Sequence, residues 1–273
     1  MNGKLYLVAT PIGNLEDITL RALRILREVD LIAAEDTRHT LKLLNYYEIS
    51  KPLYSYHRHN EEVKADFLLE KLKEGQNIAV VSDAGTPIIC DPGEQIVREA
   101  LKEEIEVIPI PGACAFVNAL IASGLDTREF CFYGFLSVNK KLKKEKLEQI
   151  KKENKTVILY EAPHKLRNTL EEMKRILGNR EIVVARELTK IHEEFRRGTI
   201  SEILESYIEP KGEHIILIQG NAIEDKEEDD DLPIESLYEQ YQAQGISKKE
   251  IIKKIARQKG VNKNEIYQKF IKQ

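Results

Sequence analysis

The sequence predicts an α/β fold, a mostly parallel sheet covered by helices, followed by a small helical module. Short apolar runs alternate with amphipathic stretches from the start, and this alternation resumes in the second half of the chain. An acidic run then separates a lysine-rich end from the rest. The chain has 273 residues, 42% of them hydrophobic, which is enough for two compact domains or for one large domain with an appendage.

The elements of the first half follow from hydrophobic periodicity. Apolar runs predict strands at 4–10, 30–34, 77–82 and 106–110. Between them, apolar residues three or four positions apart predict helices over about 18–29, 63–72 and 96–101. A helix over 112–125 is expected to join the two halves. The most membrane-like run, 107–125, is broken by two prolines, a glycine and an asparagine, which argues against a membrane span.

The second half continues the pattern. Strands are predicted at 129–135, 156–161, 181–187, 195–200 and 214–220. Helices are predicted over about 140–153, 165–177 and 201–208. The stretch 139–155 carries eight lysines and is interpreted either as a solvated helix face or as a contact for phosphate groups.

The end of the chain is expected to be a separate module. Residues 224–231 hold seven acidic residues and one lysine, which predicts a linker, whereas 232–273 hold nine Lys or Arg against four Glu. Helices are predicted at 232–241, 247–258 and 262–271, with Ser247 and Asn262 as N-caps and Gly245 and Gly260 before them. This pattern suits a helix-turn-helix-like module that contacts nucleic acid, or an ordinary appendage with a solvated lysine face.

Composition excludes several classes of protein. The net charge of −4 argues against a uniformly basic nucleic-acid binder. Three cysteines without a C-x-x-C pair, and a start without a signal-peptide pattern, predict a soluble cytoplasmic protein with reduced thiols. His39, His57 and His59 fit no zinc-site spacing, so no metal is expected.

Three loops rich in glycine and proline follow predicted strands. They are ATPIGNLEDIT at 9–19, SDAGTPIICDPG at 82–93 and PIPGACA at 109–115. Open α/β sheets bind ligands beyond the carboxyl ends of their strands, so these loops are expected to form one cleft. The sequence has neither G-x-G-x-x-G after the first strand nor a P-loop, which argues against dinucleotide and P-loop sites. For the first loop, an ordinary strand-to-helix turn is the alternative.

Seven segments carry a specific resemblance. They are ATPIGNLEDITLRA, AEDTRHT, SYHRHNE, SDAGTPIICDPG, PIPGACA, YEAPHK and ELTKIHEEF, in this order between residues 3 and 220. This set resembles the tetrapyrrole methylase superfamily and, within it, the ribosomal RNA small subunit methyltransferase I family.

The resemblance implies a function and an architecture. The implied activity is S-adenosylmethionine-dependent methylation of a cytidine ribose 2′-hydroxyl in the decoding centre of 16S rRNA, within the small ribosomal subunit. The implied architecture is two α/β domains of the tetrapyrrole methylase type, at 1–112 and 113–223, with the cofactor in the cleft between them. The acidic linker at 224–231 and a helix-turn-helix-like module at 232–273 follow, and the protein is expected to be a homodimer.

The resemblance also assigns residues to the S-adenosylmethionine site. The residues implied to line it are Pro11, Ile12, Gly13, Asp83, Ala84, Gly85, Thr86, Pro87, Ile89, Cys114 and Ala115, with Tyr160, Glu161 and the backbone near His214 as further candidates. Relatives that methylate tetrapyrroles have a glycine-rich first loop and usually an Asp where this chain has Thr86, which points away from a tetrapyrrole substrate.

A ribose hydroxyl is a weak nucleophile, so a base or a cation near it would assist methyl transfer. The predicted catalytic residues are Asp36, Arg38 and Lys190, and His57, Glu187 and Glu193 are further candidates. For each of them, a salt bridge or a solvated face is the alternative.

Two other functions remain open at this point. One is a methylase of the same fold that acts on a tetrapyrrole or on a protein side chain. The other is a non-catalytic RNA-binding adaptor built around the terminal helices.

Overall fold

A computed structural model describes residues 2–58, 61–206, 212–221, 233–243 and 246–271. The chain divides into two compact units, a core unit (residues 1–220) and a C-terminal unit (residues 221–273). The core unit contains two five-stranded sheets, each covered by helices on both faces. In the described part of the chain, no helix is long and apolar enough to cross a membrane.

The first sheet is entirely parallel, in the order β3-β2-β4-β1-β5. Its strands are β1 (Leu5–Val8), β2 (Leu31–Ala34), β3 (Leu53–Ser55), β4 (Ile78–Val81) and β5 (Val107–Ile110), and its helices are α1 (Leu20–Glu28), α2 (Thr37–Tyr46), α3 (Glu61–Lys73) and α4 (Glu94–Lys102). β4, the strand in the middle of the sheet, is buried along its whole length. This explains why it reads as a continuous apolar run rather than an alternating one.

The sequence prediction missed two elements of this sheet, α2 and β3. Of the ten residues of α2, only Thr40 and Leu44 are buried, so its apolar pattern is weak. β3 is a three-residue edge strand with no fully buried residue, and it is too short for a period to be visible.

The second sheet has the order β6-β7-β10-β8-β9 and is mixed. Only β6 and β7 are parallel, and the other three pairs are antiparallel. Its elements are α5 (Ala115–Ser123), β6 (Phe130–Phe135), α6 (Lys140–Lys151), β7 (Thr156–Glu161), α7 (Leu166–Leu177), β8 (Glu181–Arg186), β9 (Glu194–Thr199), α8 (Ile200–Glu205) and β10 (His214–Ile218). The short connection from β8 to β9 forces an antiparallel pair, because parallel strands need a longer crossover.

The two faces of the second sheet have different partners. One face packs on α5 through Ala119 and Leu120, and the other packs on α7 through Leu170 and Met173. Because side chains alternate along a strand, neighbouring residues of β7 point to opposite faces. This alternation decides which residues of the second sheet can reach the site described below.

The C-terminal unit consists of α9 (Ile234–Ala243), α10 (Lys248–Gln258) and α11 (Lys263–Ile271) around its own apolar core. The three helices confirm the predicted pattern. Ser247 stands at the N-cap position of α10, but its hydroxyl bonds to the Glu250 carboxylate instead of capping a backbone N–H. The predicted linker at 224–231 and Gly245 lie outside the described residues. The predicted division at residue 112 stays a prediction.

Candidate functional site

Three glycine- and proline-containing loops meet at one edge of the first sheet. They follow β4, β1 and β5, which are neighbouring parallel strands, so their carboxyl ends lie side by side. The backbones of Thr10 and Gly85 exchange two hydrogen bonds of 2.9 and 3.0 Å, and the Thr86 hydroxyl donates to the Ala113 carbonyl at 3.1 Å. The expected convergence of the three loops is therefore present.

Gly85 lies where the three loops approach one another closely. Its φ of +80° lies in the left-handed region. A Cβ at this position would lie 3.0 Å from Ile12 Cγ2 and 3.4 Å from the Ala113 carbonyl oxygen, so a side chain would push the loops apart. The missing side chain at Gly85 thus lets the three loops pack closely together, and these three loops are called the cradle below.

A fourth segment, 187–193 between β8 and β9, lies against the first loop. A Cβ on Gly13 would be 2.6 Å from Lys190 Cγ and 2.9 Å from Thr189 Oγ1. Within this segment, Lys190 Nζ pairs with Glu187 at 3.0 Å, and the Thr189 backbone N–H donates to Glu193. The predicted Lys190, Glu187 and Glu193 therefore belong to one wall beside the cradle.

Tyr160 links the second sheet to the cradle. Its ring contacts Phe132, and it belongs to the same apolar cluster as Ile12, Ala115 and Phe116. Burial, and then the nearby Cys114, Cys90 and Asp91, raise the pKa of Tyr160 well above its usual range. The phenol therefore stays neutral and can donate a hydrogen bond.

The carboxylates of Glu35, Asp83 and Asp91 lie near one another beside the cradle. The backbone N–H of Asp36 donates to Asp83 at 3.0 Å. Burial and the charge of Glu35 raise the pKa of Asp91 to about 6, although Ser82 and Arg58 oppose the shift. Burial and Asp83 likewise raise the pKa of Glu35. Asp91 can therefore exchange a proton near neutral pH.

Sequence reasoning missed Glu35 and Asp91 as site residues. Glu35 directly follows β2 and Asp83 follows β4, and these strands are neighbours in the sheet. The available signal was an acidic residue at the carboxyl end of a predicted strand, but the strand order that makes these residues neighbours was unknown.

Asp36 and Arg38 form an ion pair with each other. Asp36 is the N-cap of α2, accepts from the Arg38 backbone N–H at 2.8 Å, and receives two bonds from the Arg38 guanidinium at 3.1 and 2.7 Å. Hydrogen bonding to Arg38 holds the pKa of Asp36 far below its usual range, so Asp36 is a weak base. The Arg38 side chain is 87% exposed and is accessible to an anion.

Glu161 and His214 point away from the cradle. Glu161 accepts a hydrogen bond from Thr169 of α7 at 2.6 Å. His214 is only 2% exposed, and burial together with Arg186 lowers its pKa to about 4. Both residues lie on the sheet face opposite Tyr160, so the structure does not bring their side chains to the other predicted cofactor residues.

The remaining predicted residues differ in exposure. Pro11, Ile12, Asp83, Thr86, Cys114, Ala115 and Tyr160 are half-buried, Gly85 and Pro87 are buried, and Gly13, Ala84 and Ile89 are exposed. Among the described residues, no three His, Cys, Asp or Glu side chains are grouped so that they could hold a metal ion. His59 lies outside the described residues.

The chain is similar to known proteins along most of its length. A family model described as Tetrapyrrole (Corrin/Porphyrin) Methylases matches residues 4–204. The "Ribosomal RNA small subunit methyltransferase I" of Halalkalibacterium halodurans is 52% identical, with 97% of this chain and 93% of that protein covered. The protein of the same name from Thermotoga maritima is 47% identical over 220 residues, which are 80% of this chain and 99% of that protein.

Solved structures share the fold at low sequence identity. A diphthine synthase matches with a TM-score of 0.62 and 14% identity, covering 80% of this chain and 90% of that one. A uroporphyrin-III C-methyltransferase from Thermus thermophilus, complexed with S-adenosyl homocysteine, matches with a TM-score of 0.57 and 18% identity, covering 80% and 97%.

Proposed function

Since the chain belongs to the tetrapyrrole methylase family and, within it, to the ribosomal RNA small subunit methyltransferase I proteins, we propose that it methylates the ribose 2′-hydroxyl of a cytidine in the decoding centre of 16S rRNA. The cofactor is S-adenosylmethionine. Identity of 52% over nearly the whole chain carries the assignment of the substrate class. We further propose that the small ribosomal subunit is the substrate, which implies a cytoplasmic enzyme.

The cradle fits this cofactor. Beside the closely packed loops, Tyr160, Cys114 and Ala115 add a half-buried, largely apolar wall. The cofactor supplies an electrophilic methyl group when it is bound. The residues of the chain would hold it, orient the ribose and remove the proton of the 2′-hydroxyl.

Asp91 is the carboxylate best suited to take that proton. Its raised pKa makes it a stronger base than Asp36, whose charge is neutralised by Arg38. Arg38 and Lys190 would then contribute positive charge at the substrate, either to a flanking phosphate or to the developing alkoxide.

A direct test is to map ribose methylation. Unmethylated 30S subunits would be incubated with the protein and S-adenosylmethionine, and the 16S rRNA would be examined for a single new 2′-O-methylcytidine. Methyl transfer to a tetrapyrrole or to protein instead of RNA would overturn the proposal. An adaptor without catalytic activity would leave all of these substrates unmodified.

We expect Arg38→Ala and Lys190→Ala to lower the single-turnover methylation rate on 30S subunits by about 100-fold each, because each removes an electrostatic partner of the reacting groups. The affinity for S-adenosylhomocysteine, measured by calorimetry, should stay within twofold of wild type. A parallel loss of this affinity would instead assign the residue to the cradle.

Deletion of residues 221–273 should leave a folded core unit with unchanged affinity for S-adenosylhomocysteine, because each unit has its own apolar core. The Thermotoga maritima relative, nearly all of which is matched by 220 residues, supports this expectation. We expect weaker binding to 30S subunits with a smaller dependence on salt, measured as log affinity against log salt concentration. An unchanged salt dependence would mean that the C-terminal unit does not contact RNA phosphates.

A homodimer is also proposed. Val117 and Ile121 lie one turn apart on α5 and are exposed, although the other face of this helix is buried against the second sheet. Such a stripe of apolar side chains is suited to contact with a second copy of the chain.

A further inference from the structure

Strand β6 contains one extra residue relative to its partner β7. Phe132 is paired with Ile158, but the next pair is Gly134 with Leu159, followed by Phe135 with Tyr160. Tyr133 is therefore the bulged residue, and it packs on the face of α7. Without the bulge, alternation would turn Phe132 and Phe135 to opposite faces.

The bulge turns Phe135 to the face of the cradle. The ring of Tyr160 contacts Phe132 at 5.0 Å and Phe135 at 5.5 Å between ring centroids, so both phenylalanines lie on its side of the sheet. Gly134 has a φ of +62°, and a Cβ on it would lie 2.7 Å from Cys90 Sγ. The bulge thus fits directly against the 82–93 loop, and a side chain at residue 134 would disturb both.

Phe135 remains 50% exposed although it contacts the half-buried Tyr160. A large aromatic ring that is fixed beside a candidate active site and open on one side is suited to a flat, aromatic ligand. The half-exposed ring is held by the strand pair below it, so little conformational entropy is lost when a ligand stacks on it.

The chain that follows Phe135 has the charge of a nucleic-acid contact. Val138 is 83% exposed, and Asn139 caps α6 by accepting from the backbone N–H groups of Lys141 and Leu142. Lys140, Lys141 and Lys144 are exposed in the first turns of α6. An apolar surface immediately followed by lysines matches a base followed by its phosphates, and it matches an apolar protein surface poorly.

We propose that the exposed face of Phe135 stacks on the base of the nucleotide being methylated, and that Lys140 and Lys141 hold the adjacent phosphates. This inference rests on the proposed function, because it assigns the RNA side of the same site. Stacking would position the ribose at the cradle without reading the identity of the base, since every base has an aromatic face.

The test compares Phe135→Leu, Phe135→Trp and Tyr46→Leu. Leu keeps apolar volume but removes the ring, Trp keeps a stacking surface, and Tyr46 is an exposed aromatic at the far end of α2. We expect Phe135→Leu to lower the affinity for 30S subunits by about 10- to 100-fold, with Phe135→Trp and Tyr46→Leu within threefold of wild type. The affinity for S-adenosylhomocysteine should be unchanged in all three.

Several outcomes would overturn the stacking surface. They are near-normal 30S affinity in Phe135→Leu, an equal defect in Phe135→Trp, a parallel loss of cofactor affinity, or a change from dimer to monomer with intact RNA affinity. If Phe135 is needed for 30S affinity but wild type places no methyl group on a ribose, the proposed reaction fails and the stacking surface stands.

The salt dependence of RNA affinity distinguishes the proposed phosphate contacts from the stacking contact. Replacing Lys140 and Lys141 together by Ala should lower the slope of log affinity against log salt by about 1.4, since each single-stranded phosphate contact contributes about 0.7. Phe135→Leu should leave this slope unchanged, because stacking releases no counterions. An unchanged slope in the double lysine variant would remove the lysines from the proposal.

Discussion

Gly85→Val is expected to lower the affinity for the cofactor by about 100-fold. The Val side chain would need the space held by Ile12 and the Ala113 carbonyl, and its backbone would be forced out of a φ of +80°. Overpacking of this kind costs about 1–3 kcal/mol, and 3 kcal/mol corresponds to about a 100-fold loss of affinity. The measurement is calorimetry with S-adenosylhomocysteine, followed by methylation of 30S subunits.

Gly124→Val is the matched control. Gly124 has nearly the same backbone conformation, with a φ of +85°, but a Cβ there would meet no atom within 4 Å. Both variants therefore place a Val at a positive φ, but only Gly85→Val introduces a side chain that clashes with atoms of the cradle. Equal cofactor affinity in both variants would show that the 82–93 loop is not the cofactor site.

Asp91→Asn should lower single-turnover methylation by about 100- to 10,000-fold, the range typical of a lost general base. In wild type, the pKa of Asp91 is raised to about 6 by burial and Glu35, and only the deprotonated form accepts a proton. The rate should therefore rise tenfold per pH unit below about 6 and level off above it. A wild-type rate that is independent of pH between 5 and 7 would exclude Asp91 as the base.

Asp91→Asn should raise the stability of the folded protein although it lowers the methylation rate. A carboxyl with a raised pKa in the folded state opposes folding once it is ionised, so its cost appears as pH rises through about 4 to 6. Asp91→Asn should consequently melt at a higher temperature than wild type at pH 8, and this gain should shrink as pH falls from 6 to 4. A loss of both activity and stability at pH 8 would indicate a structural role instead.

Glu35→Gln is the control for the origin of the pKa shift. The charge of Glu35 raises the pKa of Asp91, so its removal should move the pH midpoint of the rate to a lower value. The rate at pH 8 should stay close to that of wild type. If the pH midpoint of the rate does not move, the ionisation of Asp91 does not control the pH dependence of the rate.

Assignment to the family required only the sequence, and the comparisons confirm it. Seven ordered segments of the sequence carry this assignment.

The sequence by itself determined the α/β alternation and the cradle loops. Strands such as β4 are continuous apolar runs, and Gly85 sits where φ is positive and no Cβ fits, so local residue types carry this information. The three helices of the C-terminal unit are likewise visible in local periodicity.

Tertiary structure alone decided which side chains meet. Glu35, Asp83 and Asp91 come together because β2 lies beside β4, and strand order depends on long-range pairing that no local pattern encodes. Glu161 and Tyr160 are adjacent in sequence but lie on opposite faces, whereas a single bulge places Phe132 and Phe135 on the same face. The physical reason is the two-residue period of a strand: a shift of one position exchanges the two faces, and only the paired register fixes that position.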